Sequence, residues 1–177
     1  MESESYPVEE LLETRVSPED ASRFPRELIL EPRKGPAPLD PRQASTFWVS
    51  KMTVPDKIRL AVLGNEDARS MLVSDANKVV GLAVLRNPKI TESEIVNYAQ
   101  WRDVCEDVLW EISKHRIWIK NYQVKLALVS NPKSPLALSI KLLDHLHDRD
   151  LRNLSRSKNI SSVLARSAAR LLYKRGG

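Results

Sequence analysis

The chain contains very little glycine: there are five glycines in 177 residues, and two of them are the last two positions. Tight turns of β-rich proteins depend on glycine, so this scarcity argues against a sheet protein and favours helices. It also leaves no glycine-rich loop for a phosphate group, since neither GxGxxG nor GxxxxGK[ST] occurs. A Gly-x-Ser-x-Gly pattern is missing as well. We therefore predict an all-α chain and expect no enzymatic activity and no cofactor.

Cysteine and long apolar runs are also scarce. Cys105 is the only cysteine, which excludes an intramolecular disulfide and fits a reducing compartment. Its neighbours Glu106 and Asp107 oppose a thiolate, so we expect a packed thiol rather than a nucleophile. No apolar run approaches the roughly 20 residues that span a bilayer, and the first residues are acidic where a secretory signal is basic and then apolar. We expect a cytoplasmic protein without a transmembrane segment.

Charge and proline are unevenly distributed. Residues 1–45 carry ten acidic and six basic side chains, whereas residues 151–177 carry seven basic side chains and no acidic one. Seven of the eleven prolines lie before residue 42. These features predict a mostly irregular, acidic, proline-rich N-terminal arm over residues 1–45 and a helical-repeat domain over residues 46–177. The arm is interpreted as a flexible tether, the alternative being that it folds back along the domain or reaches a partner.

A short motif of the form Leu-Ala-x-Leu-x-Asn recurs through the second part of the chain. Copies one, two and four end at Asn65, Asn87 and Asn131, and weaker copies three and five end at His115 and Asn159. In copies two and four the asparagine is followed by Pro-Lys. The apolar spacing is typical of a short helix, and proline ends it because it lacks an amide proton and restricts the preceding residue. We expect the asparagines to bond to the backbone of their own turns.

Helix-starting signals follow both Asn-Pro-Lys segments. Thr91 with Glu94 forms a capping-box pattern, and Ser134 precedes Pro135 as a cap precedes a first-turn proline. A further cap is predicted at Ser17 in the arm. Each motif is thus expected to build a helix, a break and a second helix, and such units become stable by stacking on their neighbours.

The segment VKLALVSNPKSPLALSIKLLDHLHDRD resembles the repeat of the leucine-rich-repeat-variant class, a relative of HEAT and armadillo repeats. Residues 54–174 also resemble a family of uncharacterised bacterial proteins that share LRNPKITESEI and NYQVKLALVSNPKSPL. The resemblance implies a short α-solenoid and leaves the activity open. The cysteine cluster that holds an iron–sulfur centre in the class is missing, so the resemblance implies no cofactor here. Copies one, three and five lack the proline.

Two groups of residues have the composition of a chemical site. Asp144, His145, His147 and Asp148 include metal-binding residue types. On a helix, however, the two histidines would point about 200° apart, which favours a solvated helix end and no metal site. In the segment HRIWIKNYQVK basic and aromatic residues alternate, as in surfaces that stack on bases, although packing in the core is the favoured interpretation.

Candidate partner-binding residues fall into three groups. The turns of aligned motifs would form a basic rim, the aromatic segment would form a second surface, and the last helix would present a third. The candidates are Arg86, Lys89, Lys133 and Lys158 in the turns, Arg116, Trp118, Lys120 and Tyr122 in the aromatic segment, and Arg166 and Arg170 near the C-terminus. The last helix is interpreted as a cap of the array, and binding of nucleic acid or of an anionic membrane surface stays open.

The function predicted from these features is that of a non-catalytic interaction module, an adaptor or scaffold, that binds a protein partner through the rim or groove of the solenoid. The alternative is a nucleic-acid-binding helical-repeat protein that uses its basic C-terminal face.

Overall fold

The computed structural model describes residues 11–30 and 48–176. Within these ranges the chain is helical and contains no β-strand, which confirms the predicted all-α class for this part. The chain divides into two compact units, Met1–Ile90 and Thr91–Gly177. The first unit contains α1 (Pro18–Arg23), α2 (Arg26–Ile29), α3 (Val54–Leu63), α4 (Glu66–Leu72) and α5 (Lys78–Val84). The second contains α6 (Glu92–Gln100), α7 (Glu106–Lys114), the 3-10 helix η1 (Trp118–Lys120), α8 (Tyr122–Ser130), α9 (Leu136–Leu143), α10 (Asp148–Arg156) and α11 (Ser162–Gly176).

Helix α3 is the centre of the first unit and packs against α2, α4 and α5. Its motif residues are buried, and the turn after it is very tight. A Cβ at Gly64 would lie 2.6 Å from the Cβ of Ala68 and 2.6 Å from the carbonyl oxygen of Leu60. Only glycine therefore fits this turn without a shift of the backbone.

The described part of the N-terminal arm is attached to α3 through Arg59. This buried guanidinium donates to the two carboxylate oxygens of Asp20 at 3.0 and 2.7 Å, and also to the carbonyl oxygens of Glu13 and Arg15. Burial opposes the charged form of Asp20, but the hydrogen bonds from Arg59 and Ser17 outweigh it and lower the pKa of Asp20. Over residues 11–30 the arm therefore folds back onto the first unit; the predictions for residues 1–10 and 31–45 lie outside the described residues.

In the second unit, α8 packs against α6, α7 and α9, while α11 packs against α9 and α10. Leu109, Ile112, Leu128 and Leu151 are among the fully buried side chains. On α9 the buried side chains are Leu138, Leu142 and Leu143, whereas Leu136 and Ile140 are 41% and 39% exposed. The helix is apolar on nearly every side, so the sequence alone gives little indication of which face turns inward.

Two predicted helix starts are confirmed and one is wrong. Ser17 caps α1 with Pro18 at its first position, and Thr91 caps α6 in a capping box with Glu94. Glu94 is buried and also accepts a hydrogen bond from the Tyr98 hydroxyl at 3.1 Å. At α9, however, Pro135 itself occupies the cap position.

Candidate functional site

The asparagines that close motif copies one, two and four make the same set of hydrogen bonds. The side-chain amide of Asn65 donates to the carbonyl oxygens of Glu27 and Leu30, at 2.6 and 2.8 Å. Asn87 donates to Ala61 and Gly64 at 3.0 and 2.9 Å, and Asn131 donates to Ala99 and Trp101 at 2.8 and 2.9 Å. In each case the acceptors lie at the C-terminal end of a helix earlier in the chain, where carbonyls have no partner within the helix. We call this arrangement the asparagine clamp.

The other side of each clamp is bonded locally. The side-chain oxygen accepts from the amide of Ala68 in copy one, of Lys89 in copy two and of Lys133 in copy four. The predicted bond of Asn87 and Asn131 to their own turns is therefore confirmed. The bonds to the earlier helices were not predicted. The sequence feature that could have indicated them is the recurrence of asparagine itself, because its side-chain amide can donate and accept hydrogen bonds at the same time. All three clamp residues are at most 4% exposed.

Copies three and five depart from this pattern. His115 closes copy three, and its ring stacks on Trp118 at 3.7 Å between centroids instead of bonding to an earlier helix. Asn159 closes copy five and is exposed. Within the described residues its side chain makes no hydrogen bond, and only its backbone amide donates, to the Ser157 hydroxyl at 3.2 Å.

An open cleft lies between the end of α8 and Asn159, the residue that closes copy five. By their position before the clamp residue, the counterparts of Ala61 and Gly64 at the end of α8 are Ala127 and Ser130. Ser130 and Asn159 both line the cleft, which has a volume of about 310 Å³. We call it the polar cleft; its lining residues are Arg102, Leu126, Ser130, Asp150, Asn153, Leu154, Ser157, Asn159 and Ile160.

One wall of the polar cleft is held by Tyr122. Its hydroxyl donates to the Asp150 carboxylate and accepts from the backbone amide of His147, and its ring stacks on the His147 ring at 4.4 Å. Burial and the hydrogen bond with Asp150 together raise the pKa of Tyr122. Asp150 is thereby held at the edge of the cleft as the acceptor of this hydrogen bond. The opposite charge in the lining is Arg102, which is exposed and makes no ion pair within the described residues.

Helix α10 carries three arginines on the face opposite its buried leucines. Arg149, Arg152 and Arg156 are spaced by three and four residues, so they lie one above another on the helix. All three are exposed, and none of their side chains forms a hydrogen bond or ion pair within the described residues. The buried side chains of α10 are Leu151 and Leu154. We call these three residues the arginine stripe. Two of them, Arg152 and Arg156, belong to the basic segment 151–177, but none of the three is among the predicted site residues.

The basic residues of α11 have different environments. Arg166 is exposed, and its Nε donates to the Ser162 carbonyl of its own helix at 3.2 Å. Arg170 is exposed beside a shallow groove with Lys174 and Asp144. Arg175 donates to the carbonyl oxygens of Asp144 and Leu146 at 2.6 and 2.8 Å, and it pairs with Asp148 at 2.9 Å. Arg175 thus attaches the end of α11 to the segment that follows α9.

The remaining predicted site residues are distributed over both units. Arg86 and Lys89 are exposed in the first unit, and Lys133 and Lys158 are exposed in the second. Arg116 and Lys120 are exposed on either side of Trp118, which is only 8% exposed. Both aromatic rings of this segment already stack on histidines, Trp118 on His115 and Tyr122 on His147. The segment therefore presents its cations and keeps its rings in intramolecular contacts.

Metal-binding residue types do not cluster in the described part of the chain, where no group of three such side chains comes together. Residues 144–147 lie between α9 and α10, so the helical geometry assumed for His145 and His147 does not apply. None of the helices between residues 11 and 30 or 48 and 176 combines the length and apolarity needed to cross a membrane.

No protein-family model, curated protein or solved structure matches this chain. Its function is therefore inferred from the geometry of the clamps, the polar cleft and the arginine stripe.

Proposed function

We propose that this chain is a non-catalytic interaction module that binds an acidic segment of a protein partner along the arginine stripe of α10. The observation that carries the proposal is the state of Arg149, Arg152 and Arg156. They are exposed on one face and have no ionic partner within the described residues. Arginine is the side chain best suited to carboxylates, because its planar guanidinium forms paired hydrogen bonds with them.

The length of the stripe fits a short segment of extended chain. Residues 149 and 156 are seven positions apart, or about 10 Å along a helix. Side chains on the same side of an extended strand repeat about every 7 Å, so two or three alternate acidic residues can reach the stripe. The two carboxylates next to the stripe are engaged elsewhere, since Asp148 pairs with Arg175 and Asp150 accepts from Tyr122.

Nucleic-acid binding through the same basic face is the second candidate, and the charge of residues 151–177 favours it. One feature favours a protein partner instead. The aromatic rings of Trp118 and Tyr122 are occupied by histidines, which removes the stacking platform that single strands use.

The architecture belongs to the same proposal. We infer a short α-solenoid of the HEAT or leucine-rich-repeat-variant type, in which the asparagine clamp joins the end of one helix to a turn later in the chain. Residues 11–30 would then act as an N-terminal cap, because Asn65 binds the end of α2 as Asn87 binds the end of α3. A single cysteine is consistent with a cytoplasmic location.

A binding experiment with matched variants tests the location of the site. The probe is a fluorescent peptide of glutamates around one central asparagine, and anisotropy measures its dissociation constant. Replacing Arg149, Arg152 and Arg156 together with glutamine removes three exposed ionic contacts. Because each is worth about 0.5 kcal/mol, binding should weaken about tenfold.

The matched control removes the same charge from the rim by replacing Arg86, Lys89 and Lys133 with glutamine. This variant should bind the peptide within about twofold of the wild type if the stripe is the site. Equal losses in the two variants would indicate an unspecific charge effect, and a loss confined to the rim variant would place the site in the turns.

A salt titration with random duplex DNA distinguishes the two classes of partner. Nucleic-acid binding predicts affinity for the duplex that falls steeply with salt and exceeds the affinity for the peptide. Protein binding predicts that the peptide is the tighter ligand at every salt concentration.

A further inference from the structure

We infer that the polar cleft receives the side-chain carboxamide of an asparagine or glutamine in the bound segment. This inference rests on the proposed function and adds the chemistry that the site recognises beside the acidic charges. The precedent within the chain is the asparagine carboxamide, which binds carbonyl oxygens at the end of an earlier helix in three motif copies.

In those three copies the same chemical requirement is met each time. Carbonyl oxygens at the end of a helix need donors, and a backbone amide in the next turn needs an acceptor. One carboxamide satisfies both, as Asn131 does with Ala99, Trp101 and Lys133. At the end of α8 no side chain of copy five takes this role, since Asn159 lies in the wall of the cleft without a bond to α8.

The lining of the cleft supplies both donors and acceptors. Asn153 and Asn159 offer an amide that donates and a carbonyl that accepts, and the hydroxyls of Ser130 and Ser157 do the same. The two charges in the lining, Arg102 and Asp150, are opposite. A neutral group with one donor face and one acceptor face suits this lining better than a phosphate, a carboxylate or a cation, each of which meets a like charge.

The dimensions and position agree with this occupant. The volume of about 310 Å³ corresponds to roughly ten waters at about 30 Å³ each, enough for a carboxamide and the adjoining main chain. Asn153 follows Arg152 directly and lies four residues after Arg149, so the cleft borders the arginine stripe. A segment whose acidic residues contact the stripe therefore brings a neighbouring residue to the cleft.

The test compares two peptides and three proteins. The first peptide has glutamates around a central asparagine, and in the second the asparagine is replaced by leucine. The wild type should bind the asparagine peptide about tenfold tighter, as expected for two hydrogen bonds in a partly enclosed site. The Asn153→Ala/Asn159→Ala variant should bind the two peptides equally. The Asn97→Ala variant, changed at an exposed asparagine of α6 that does not line the cleft, should keep the preference.

Equal binding of both peptides by the wild type would overturn the inference while leaving the proposed function intact, provided that the arginine variant still weakens both. If neither peptide binds, the proposed function fails, and the cleft is tested separately with N-acetylasparagine amide. Saturable shifts in the NMR signals of the Asn153 and Asn159 side-chain amides would then support the cleft, and unchanged signals would refute it.

Discussion

The asparagine clamp allows a quantitative prediction, because the chain contains both clamped and unclamped copies of the same residue. In the second unit, Asn131 is 4% exposed and bonds to two carbonyls of an earlier helix, whereas Asn159 is exposed and bonds to none through its side chain. Replacing each with alanine makes the same chemical change in two different environments. The difference between the two variants isolates the contribution of the clamp.

The expected size follows from the hydrogen bonds that are lost. Asn131→Ala leaves the carbonyls of Ala99 and Trp101 and the amide of Lys133 without their partner. A buried polar group without a partner costs about 1–3 kcal/mol. We assume about 1–2 kcal/mol for each of the two carbonyls and no cost for the Lys133 amide, because water can reach it. The expected destabilisation is then about 2–4 kcal/mol. Asn159→Ala breaks no such bond and should remain within about 0.5 kcal/mol of the wild type.

Urea unfolding followed by tryptophan fluorescence measures these differences. Three of the four tryptophans, Trp101, Trp110 and Trp118, lie in the second unit, so the signal mainly reports its transition. Asn131→Asp provides a further check, because its carboxylate would face two carbonyl oxygens and should destabilise the unit more at neutral pH than at acidic pH. A loss below about 1 kcal/mol for Asn131→Ala, or equal losses at positions 131 and 159, would refute the clamp as a stabilising device.

Two further predictions concern the first unit. The pKa of Asp20 is lowered in the folded protein, so its ion pair with Arg59 contributes stability above the unfolded pKa near 3.8, and this stability is lost as the pH falls below that value. In thermal unfolding, Asp20→Asn should therefore destabilise the unit at pH 7 and match the wild type near pH 2. A difference in stability that does not change with pH would contradict this prediction. Gly64→Ala should destabilise the first unit by about 1–3 kcal/mol, because the new Cβ meets the backbone of Leu60. As a control, Gly176→Ala should leave the melting temperature unchanged, since nothing lies within 4 Å of a Cβ at that position. A Gly64→Ala variant as stable as the wild type would show that the turn relaxes.

The sequence was most informative where structure depends on short-range physics. The capping residues Ser17 and Thr91 were predictable because a cap bonds to an amide three residues away. The cap predicted at Ser134 was wrong for a related reason. A proline after such a residue marks either the first helical turn or the cap itself, and the sequence does not distinguish the two. The helix class and the motif ends could therefore be predicted from the sequence, and the exact helix starts only in part.

The candidate site depended on longer-range geometry and was only partly predictable. Asn131 contacts residues about 30 positions earlier, and nothing local indicates that its counterpart Asn159 lacks such a contact. The arginine stripe follows from the spacing of Arg149, Arg152 and Arg156 once α10 is known to begin at Asp148. The basic residues predicted near the C-terminus, Arg166 and Arg170, lie on α11 instead, where Arg175 is engaged with the segment that follows α9.

The most direct test of the proposed function is a map of amide chemical shifts on the isotope-labelled full chain, titrated with the glutamate peptide that carries a central asparagine. The proposal predicts saturable shifts concentrated between residues 149 and 159, with the side-chain amides of Asn153 and Asn159 among them. Shifts concentrated at residues 86–89 and 131–134, or no saturable shifts at all, would contradict it.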